Sequence, residues 1–168
     1  VGVGGKLESS QETEGGSALV FKYVDAAWKQ VAMFRDPVPH SYGRFGEAIA
    51  VNIDGSIVAV SSIGDPRQGS GVFDSVPVEV GNSSTSHGSV FVYEFNESYK
   101  MTSYIQARNY SDLGSTFGNT LALSSDGGTL AVGDRSDSSQ TGGYGDGKAV
   151  FTPYSVGGKL ATGAVYLY

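Results

Sequence analysis

A long internal repeat constrains the fold of this chain more than any other feature. Gly-Ser-Ala-Leu-Val-Phe at 16–21 returns as Gly-Ser-Val-Phe-Val-Tyr at 88–93 and as Gly-Ala-Val-Tyr-Leu-Tyr at 163–168. Residues 16–62 align without a gap onto residues 88–134, an offset of 72. A repeat of this length indicates supersecondary units that bury their apolar faces against one another.

The pattern inside one repeat predicts an all-β fold. Residues 45–53 are apolar on both faces, as in a strand that is covered on both sides. Asp54-Gly55 is a turn signal, and the return strand follows it. The predicted strands of this unit are 45–53, 57–62, 89–95 and 99–107. Four-stranded antiparallel units at a fixed period are typical of propeller-type blades, and the chain holds about two and a quarter of them.

Composition and charge exclude several functions. The net charge is -6, and the 11 Lys and Arg are scattered. Binding to nucleic acid or to an anionic membrane surface needs clustered positive charge, so we expect neither. The chain has no Cys, which excludes disulfides, thiolate catalysis and Cys-ligated zinc. No apolar run approaches the roughly 20 residues of a membrane helix, so we expect no membrane insertion.

The second copy of the repeat carries a family resemblance. Residues 117–134 read FGNTLALSSDGGTLAVGD, and residues 45–62 are a looser copy. This pattern resembles FG-GAP repeats, the blade type of integrin α-subunit propellers, over about residues 16–168. The resemblance implies a β-propeller fold, which hosts many different functions.

The calcium loop of integrin-type repeats is incomplete here. Calcium takes six to eight oxygen ligands, several of them from carboxylates. The loops at 52–55 and 124–127 keep one Asp each, Asp54 and Asp126. We therefore predict that these two residues form turns, and we predict no metal site and no cofactor.

The repeat boundaries divide the chain into two parts. Residues 1–15 are expected to be a Gly/Glu-rich linker or edge segment. Residues 16–168 are expected to form FG-GAP-like blades, with repeat units at 16–87 and 88–162 and the start of another at 163–168. A closed propeller typically needs four or more blades. Either the polypeptide is longer, or copies associate, or the strands close as a sandwich or barrel. The last predicted blade lacks a fourth strand, so its edge is open for strand addition by another copy.

Three of the five asparagines lie in N-glycosylation sequons. These are Asn82, Asn96 and Asn109, each followed two residues later by Ser. All three fall in predicted loops or turns, where a glycan is tolerated. The alternative is ordinary Asn-Ser turn chemistry. The sequons favour an extracellular or cell-surface protein that carries covalent glycans.

Candidate catalytic residues are scarce. His40 and His87 are the only histidines, and neither has a partner at metal-ligand spacing. No Gly-x-Ser-x-Gly elbow is present. We expect both histidines on surface loops, we predict no catalytic residue, and we predict that the chain is not an enzyme. A third interpretation makes it the non-catalytic part of a propeller-bearing hydrolase.

These observations predict a non-catalytic extracellular structural glycoprotein. Its blades would associate with copies of itself into a fibre, coat or adhesive appendage. The alternative is an integrin-like recognition propeller that binds a protein or glycan through the long loops 63–87 and 135–162, because variable loops on a rigid scaffold often carry function. Trp28 belongs either to a sugar-stacking surface or to packing at the outer strand.

Overall fold

The computed structural model describes residues 2–3 (backbone only), 15–40, 42–77, 86–107, 115–137 and 163–168. These residues form eleven strands in three antiparallel sheets and contain no helix, which confirms the predicted all-β class. The strands are β1 Gly2–Val3, β2 Ser17–Val24, β3 Ala27–Arg35, β4 Phe45–Val51, β5 Ile57–Ser62, β6 Gly71–Phe73, β7 Ser89–Asn96, β8 Ser98–Gln106, β9 Thr120–Leu123, β10 Leu130–Asp134 and β11 Ala164–Leu167.

The central sheet contains the repeat unit that the sequence predicts in full. Its order is β4-β5-β7-β8-β6, so the four predicted strands lie side by side in chain order. The fifth strand, β6, pairs with the last three residues of β8 and was not predicted, because it lies within the stretch expected to be a loop. The N-terminal sheet has the order β1-β2-β3, and the C-terminal sheet has the order β11-β10-β9.

The Phe-Gly pair inside each repeat has a steric cause. Gly46 has φ +91° and Gly118 has φ +88°, a region that side chains rarely adopt. A Cβ at Gly46 would lie 2.8 Å from the Ser17 carbonyl oxygen, and one at Gly118 would lie 2.8 Å from Cβ of Ser61. Only glycine allows the first strand of one sheet to approach the preceding sheet this closely.

Two apolar cores hold the three sheets together. Alternate residues of each central strand point to opposite faces, so Val58 and Val60 face one core and Ala59 faces the other. The core between the N-terminal and central sheets contains Ala18, Phe34, Phe45, Val58, Val60, Phe91, Tyr93 and Tyr104. The core between the central and C-terminal sheets contains Ala59, Val90, Ile105, Ala107, Phe117, Leu130 and Val132.

Candidate functional site

The most concentrated charge in the described part of the chain is a buried ionic cluster centred on Arg67. The Arg67 side chain is fully buried. Its guanidinium donates from Nη1 to Asp65 Oδ2 at 2.6 Å and from Nη2 to Asp36 Oδ1 at 2.6 Å. The same Nη2 donates to the Val38 carbonyl oxygen at 2.6 Å. One arginine therefore ties the segment after β3 to the loop after β5.

Asp65 connects this cluster to the central sheet. Its Oδ2 accepts the hydroxyls of Ser89 on β7, at 2.6 Å, and of Tyr104 on β8, at 2.9 Å. Its backbone carbonyl accepts the amides of His87, at 2.8 Å, and of Gly88, at 3.2 Å. The carboxylate and carbonyl of one residue thus close the loop between β5 and β7 at the start of β7.

Burial sets the electrostatics of the cluster. Burial raises the pKa of Asp36 above its ordinary value, and the hydrogen bond from Arg67 opposes that rise. For Arg67, burial acts to lower the pKa, but the charges of Asp65 and Asp36 outweigh it and hold the pKa above its ordinary value. Burial, followed by repulsion from Arg67, lowers the pKa of His40 below 6.5. Burial also raises the pKa of the Tyr104 hydroxyl, so Tyr104 stays a neutral donor.

The C-terminal sheet repeats part of this arrangement. Asp137 lies 72 residues after Asp65, and its carbonyl accepts the amide of Gly163 at 3.0 Å, just before β11. Its Oδ2 accepts the Tyr166 hydroxyl at 2.5 Å. The gapless match between residues 16–62 and residues 88–134 ends three positions before Asp65 and Asp137. The sequence signal for this pair is the offset of 72 residues, which continues without a gap from the matched segments to the two aspartates.

These contacts make the cluster a clamp on loops. Asp36 Oδ1 and both carboxylate oxygens of Asp65 receive hydrogen bonds from arginine, serine, tyrosine and backbone donors, whereas Asp36 Oδ2 has no hydrogen-bond partner among the described residues. The side chains of Asp36, Asp65 and Arg67 are all shielded from solvent. Asp134 does similar work in the C-terminal sheet, where it accepts the hydroxyls of Ser115, at 2.5 Å, and of Ser136, at 2.8 Å. The geometry of the cluster therefore supports a structural role, in which these hydrogen bonds fix the positions of the sheets and loops.

The two histidines do not share the predicted exposed environment. His87 is buried, so its predicted surface position is wrong. Its backbone amide donates to the Asp65 carbonyl oxygen where the loop closes, so His87 is part of the clamp. His40 is half-buried beside the ionic cluster. In the described ranges, no three His, Asp or Glu side chains converge as a metal-binding group.

Asp54 and Asp126 lie in turns, as predicted. Asp54 Oδ1 accepts the Ser56 amide at 2.8 Å. Asp126 Oδ1 accepts the Ser124 hydroxyl at 2.6 Å and the Gly128 amide at 2.9 Å. Hydrogen bonds from the side chain and amide of Ser56 lower the pKa of Asp54 below the ordinary 3.8, and those from Ser124 and Gly128 lower the pKa of Asp126 in the same way.

One of the three predicted glycosylation sites lies in a described part of the chain. Asn96 is exposed at the last position of β7, paired with Ser98 across a tight hairpin. Glu97 forms the tip of this hairpin with φ +65°. Asn82 and Asn109 lie outside the described residues. So do most of the predicted recognition loop 135–162 and residues 78–85 of the loop 63–87.

A groove of about 460 Å³ lies between the N-terminal and central sheets. Tyr23 and Trp28 line it from the N-terminal sheet, with ring centroids 5.5 Å apart. The central sheet contributes Asp54 and Tyr99, whose hydroxyl donates to the Gly55 carbonyl at 2.5 Å. Trp28 is 70% exposed, so the outer-strand packing expected for it does not cover its ring.

The C-terminal sheet is open at its end. Strand β11 pairs with β10 on one side, and no described strand pairs with its other edge. Val165 and Leu167 on β11 are 70% and 64% exposed, while Tyr166 between them packs edge-on against Phe117 at 5.4 Å. One face of this strand is therefore in the core, and the other presents apolar side chains to solvent.

Comparison with protein-family models, curated proteins and solved structures found no match to this chain. Within the described ranges, no helix is long and apolar enough to span a membrane.

Proposed function

We propose that this chain is a non-catalytic extracellular structural protein whose copies associate into a fibre, coat or adhesive appendage. In this proposal the three sheets are propeller-type blades related to FG-GAP repeats. The observation that carries the proposal is the open C-terminal sheet, which combines an unpaired edge at β11 among the described strands with exposed Val165 and Leu167.

An unpaired strand edge with apolar side chains favours association with another chain. Natural proteins protect such edges with charge, proline or a covering loop, and Ala164–Leu167 has neither a charged residue nor a proline. The β8 side of the central sheet differs, because β6 pairs with the last three residues of β8. The contrast between the two edges supports a role for the C-terminal one in contact between copies.

Asn96 supports the extracellular part of the proposal. It is exposed at a hairpin tip, where a glycan attached to its amide has room. The ionic cluster supports a structural role, because it holds the loops between sheets in fixed positions without a disulfide.

A recognition function is the second candidate, and the groove between the N-terminal and central sheets favours it. Its volume falls in the range of small-ligand sites, roughly 300–1,000 Å³. Exposed Tyr23 and Trp28 offer flat aromatic faces of the kind on which sugar rings stack, and Asp54 offers a carboxylate. In this function the chain binds a glycan or a protein without polymerising.

Electron microscopy of the native material, without denaturation, tests the proposal. We expect regular filaments, arrays or rings with a repeat that fits one chain of 17.5 kDa. The mass of the dissociated chain should fall when N-glycans are removed enzymatically. Single particles that bind glycans at the groove and never associate would overturn the structural function in favour of recognition.

A further inference from the structure

The junction between the central and C-terminal sheets pairs small side chains with large ones. The earlier sheet presents the small residues there, and the later sheet presents the large ones. At the first junction the N-terminal sheet presents Ala18, Val20 and Ala32 in the same way, together with one large residue, Phe34, which stacks on Tyr93. Ala50, Ala59 and Val92 form one cross-strand row of the central sheet at this second junction. They face Phe117, Leu121 and Tyr166 of the C-terminal sheet. The faces are complementary because bulky side chains fill the space that alanines leave.

The outward face of the C-terminal sheet repeats the small-residue row. Ala122, Ala131 and Leu167 are directly paired across β9, β10 and β11, as Ala50, Ala59 and Val92 are in the central sheet. In the central sheet this row is covered by the next sheet. In the C-terminal sheet, Ala122 and Leu167 are exposed. This outward side is the tail face, defined by Ala122, Ala131, Val165 and Leu167.

The outward face of the N-terminal sheet repeats the large-residue rows. The pairs Leu19–Met33 and Tyr23–Trp28 span β2 and β3 on the side opposite Ala18 and Ala32, which pack against the central sheet. Tyr23 and Trp28 also border the groove. The equivalent rows of the central sheet are Phe91–Tyr104 and Phe95–Tyr99, and the first of these is buried in the core shared with the N-terminal sheet. This side is the head face, defined by Leu19, Phe21, Tyr23, Trp28 and Met33.

Exposure of the head face is high for large apolar side chains. Tyr23 is 62% exposed, Trp28 is 70% exposed and Met33 is 50% exposed. Contiguous exposed apolar patches on a folded protein mark interaction sites. The head face therefore presents large apolar side chains of the kind that pack against a small-residue row inside the chain.

We infer that the head face of one copy stacks on the tail face of a second copy, in the manner of the internal junctions. The contact is head-to-tail, so each copy offers both surfaces and the assembly is a closed ring or an open filament. This inference rests on the proposed self-association and names the surfaces that carry it.

Stacking of faces accounts for the exposed side chains better than pairing of edges does. Side chains stand perpendicular to a sheet, so strand addition at β11 would leave Val165 and Leu167 in water. The β11 edge is also short, since only residues 165 and 167 direct their amides away from β10. Stacking buries both side chains and repeats the way in which the chain already joins its own sheets.

Two single substitutions block one face each. Tyr23→Glu places a carboxylate on the head face, and Leu167→Glu places one on the tail face without removing the backbone amide of β11. Ile53→Glu is the matched control, because Ile53 is 85% exposed in a turn outside both faces. Circular dichroism and thermal melts check that all three variants keep the fold, as expected for positions exposed to solvent.

Sedimentation velocity across a dilution series measures the association. We expect the unmodified chain and Ile53→Glu to associate alike, and each blocked variant to associate at least about tenfold more weakly, because stacking would bury an unpaired charge. An equimolar mixture of the two blocked variants should form a heterodimer and nothing longer, since it holds one intact head face and one intact tail face per pair.

The outcomes separate this inference from the proposed function. If the unmodified chain stays monomeric at every concentration, self-association and the stacking inference both fail. If the unmodified chain associates and Tyr23→Glu associates equally well, self-association stands and head-to-tail stacking is overturned. A blocked pair that remains monomeric when mixed also overturns it.

Discussion

Replacing Arg67 by methionine tests the buried clamp. Arg67→Met keeps much of the side-chain volume but removes the only cation that contacts Asp36 and Asp65 among the described residues. Both carboxylates stay where they are, with side chains that are 5% and 0% exposed. We expect a large loss of stability, because each carboxylate is then buried without its cation.

The size of the loss follows from the geometry. Removing one member of a buried, hydrogen-bonded ion pair typically costs about 3–5 kcal/mol. A domain of this size loses about 2–4 °C of melting temperature for each kcal/mol. Arg67→Met should therefore melt roughly 6–20 °C below the unmodified chain. The loss is a large part of a total stability of about 5–15 kcal/mol.

A double-mutant cycle with Asp36→Asn isolates the charge. The new amide side chain would keep an oxygen for the Val38 backbone amide, which donates to Asp36 Oδ1 at 2.9 Å. In the unmodified chain, Asp36→Asn should destabilise, because it weakens a charge-assisted hydrogen bond to Arg67. In the Arg67→Met chain it should stabilise, because it removes a buried carboxylate that has lost its cation. Chemical unfolding by urea, followed by circular dichroism, measures the four free energies.

The pH dependence gives an independent check with a definite sign. Burial already raises the pKa of Asp36 in the folded chain, and loss of Arg67 removes the contact that opposes this rise. The folded-state pKa then lies further above the unfolded value of 3.8. The stability that the chain gains by protonating Asp36 is complete when the pH is below the unfolded-state pKa. This stability is lost as the pH rises through the folded-state pKa. The deficit of Arg67→Met should therefore shrink on acidification.

Two results would refute the reasoning. If Arg67→Met unfolds within about 1 kcal/mol of the unmodified chain, the cluster is not the clamp that its geometry indicates. If Asp36→Asn destabilises equally in both backgrounds, the effect belongs to the amide contact with Val38 and not to the charge.

Two further predictions concern the glycines and His40. Gly118→Ala should destabilise by about 1–3 kcal/mol more than Gly55→Ala, since both have positive φ, but only Gly118 also has Ser61 within 2.8 Å of an added Cβ. Equal losses in urea unfolding would remove the steric explanation of the Phe-Gly motif. The depressed pKa of His40 should make the unmodified chain lose stability as the pH falls from 6.5 through that pKa, because the folded state disfavours the proton. His40→Gln should lack this loss, and identical pH profiles would contradict the assignment.

Local sequence patterns were sufficient to predict most strands. The predicted bounds 57–62 match β5 because a short apolar run that follows an Asp-Gly turn is a local signal. β6 was missed because Gly71–Phe73 is three residues long in a polar stretch and is stabilised by pairing with β8, over 30 residues away. Its strand character arises from that long-range pairing and not from its own sequence.

The candidate site was less predictable than the fold. Arg67 occurs in a polar Asp-Pro-Arg sequence that is typical of an exposed loop, and its partner Asp36 lies 31 residues earlier. Burial of such a residue depends on the meeting of three segments, which no local pattern encodes. His87 was misplaced for the same reason. Asp65 was detectable through its repeat partner Asp137, because the offset of 72 continues through both positions.

The two kinds of contact between sheets have different consequences for assembly. Apolar faces of alanine, valine and large aromatic residues supply area, but apolar contact is non-directional and allows one sheet to slide on another. The Arg67 bonds to Asp36 and Val38 are directional, and they fix the segment leaving the N-terminal sheet against the central sheet. An internal junction that joins both kinds has one defined geometry. The exposed head and tail faces consist mainly of apolar area. The geometry of a contact between copies would therefore depend on how well the large side chains of the head face fill the small-residue row of the tail face.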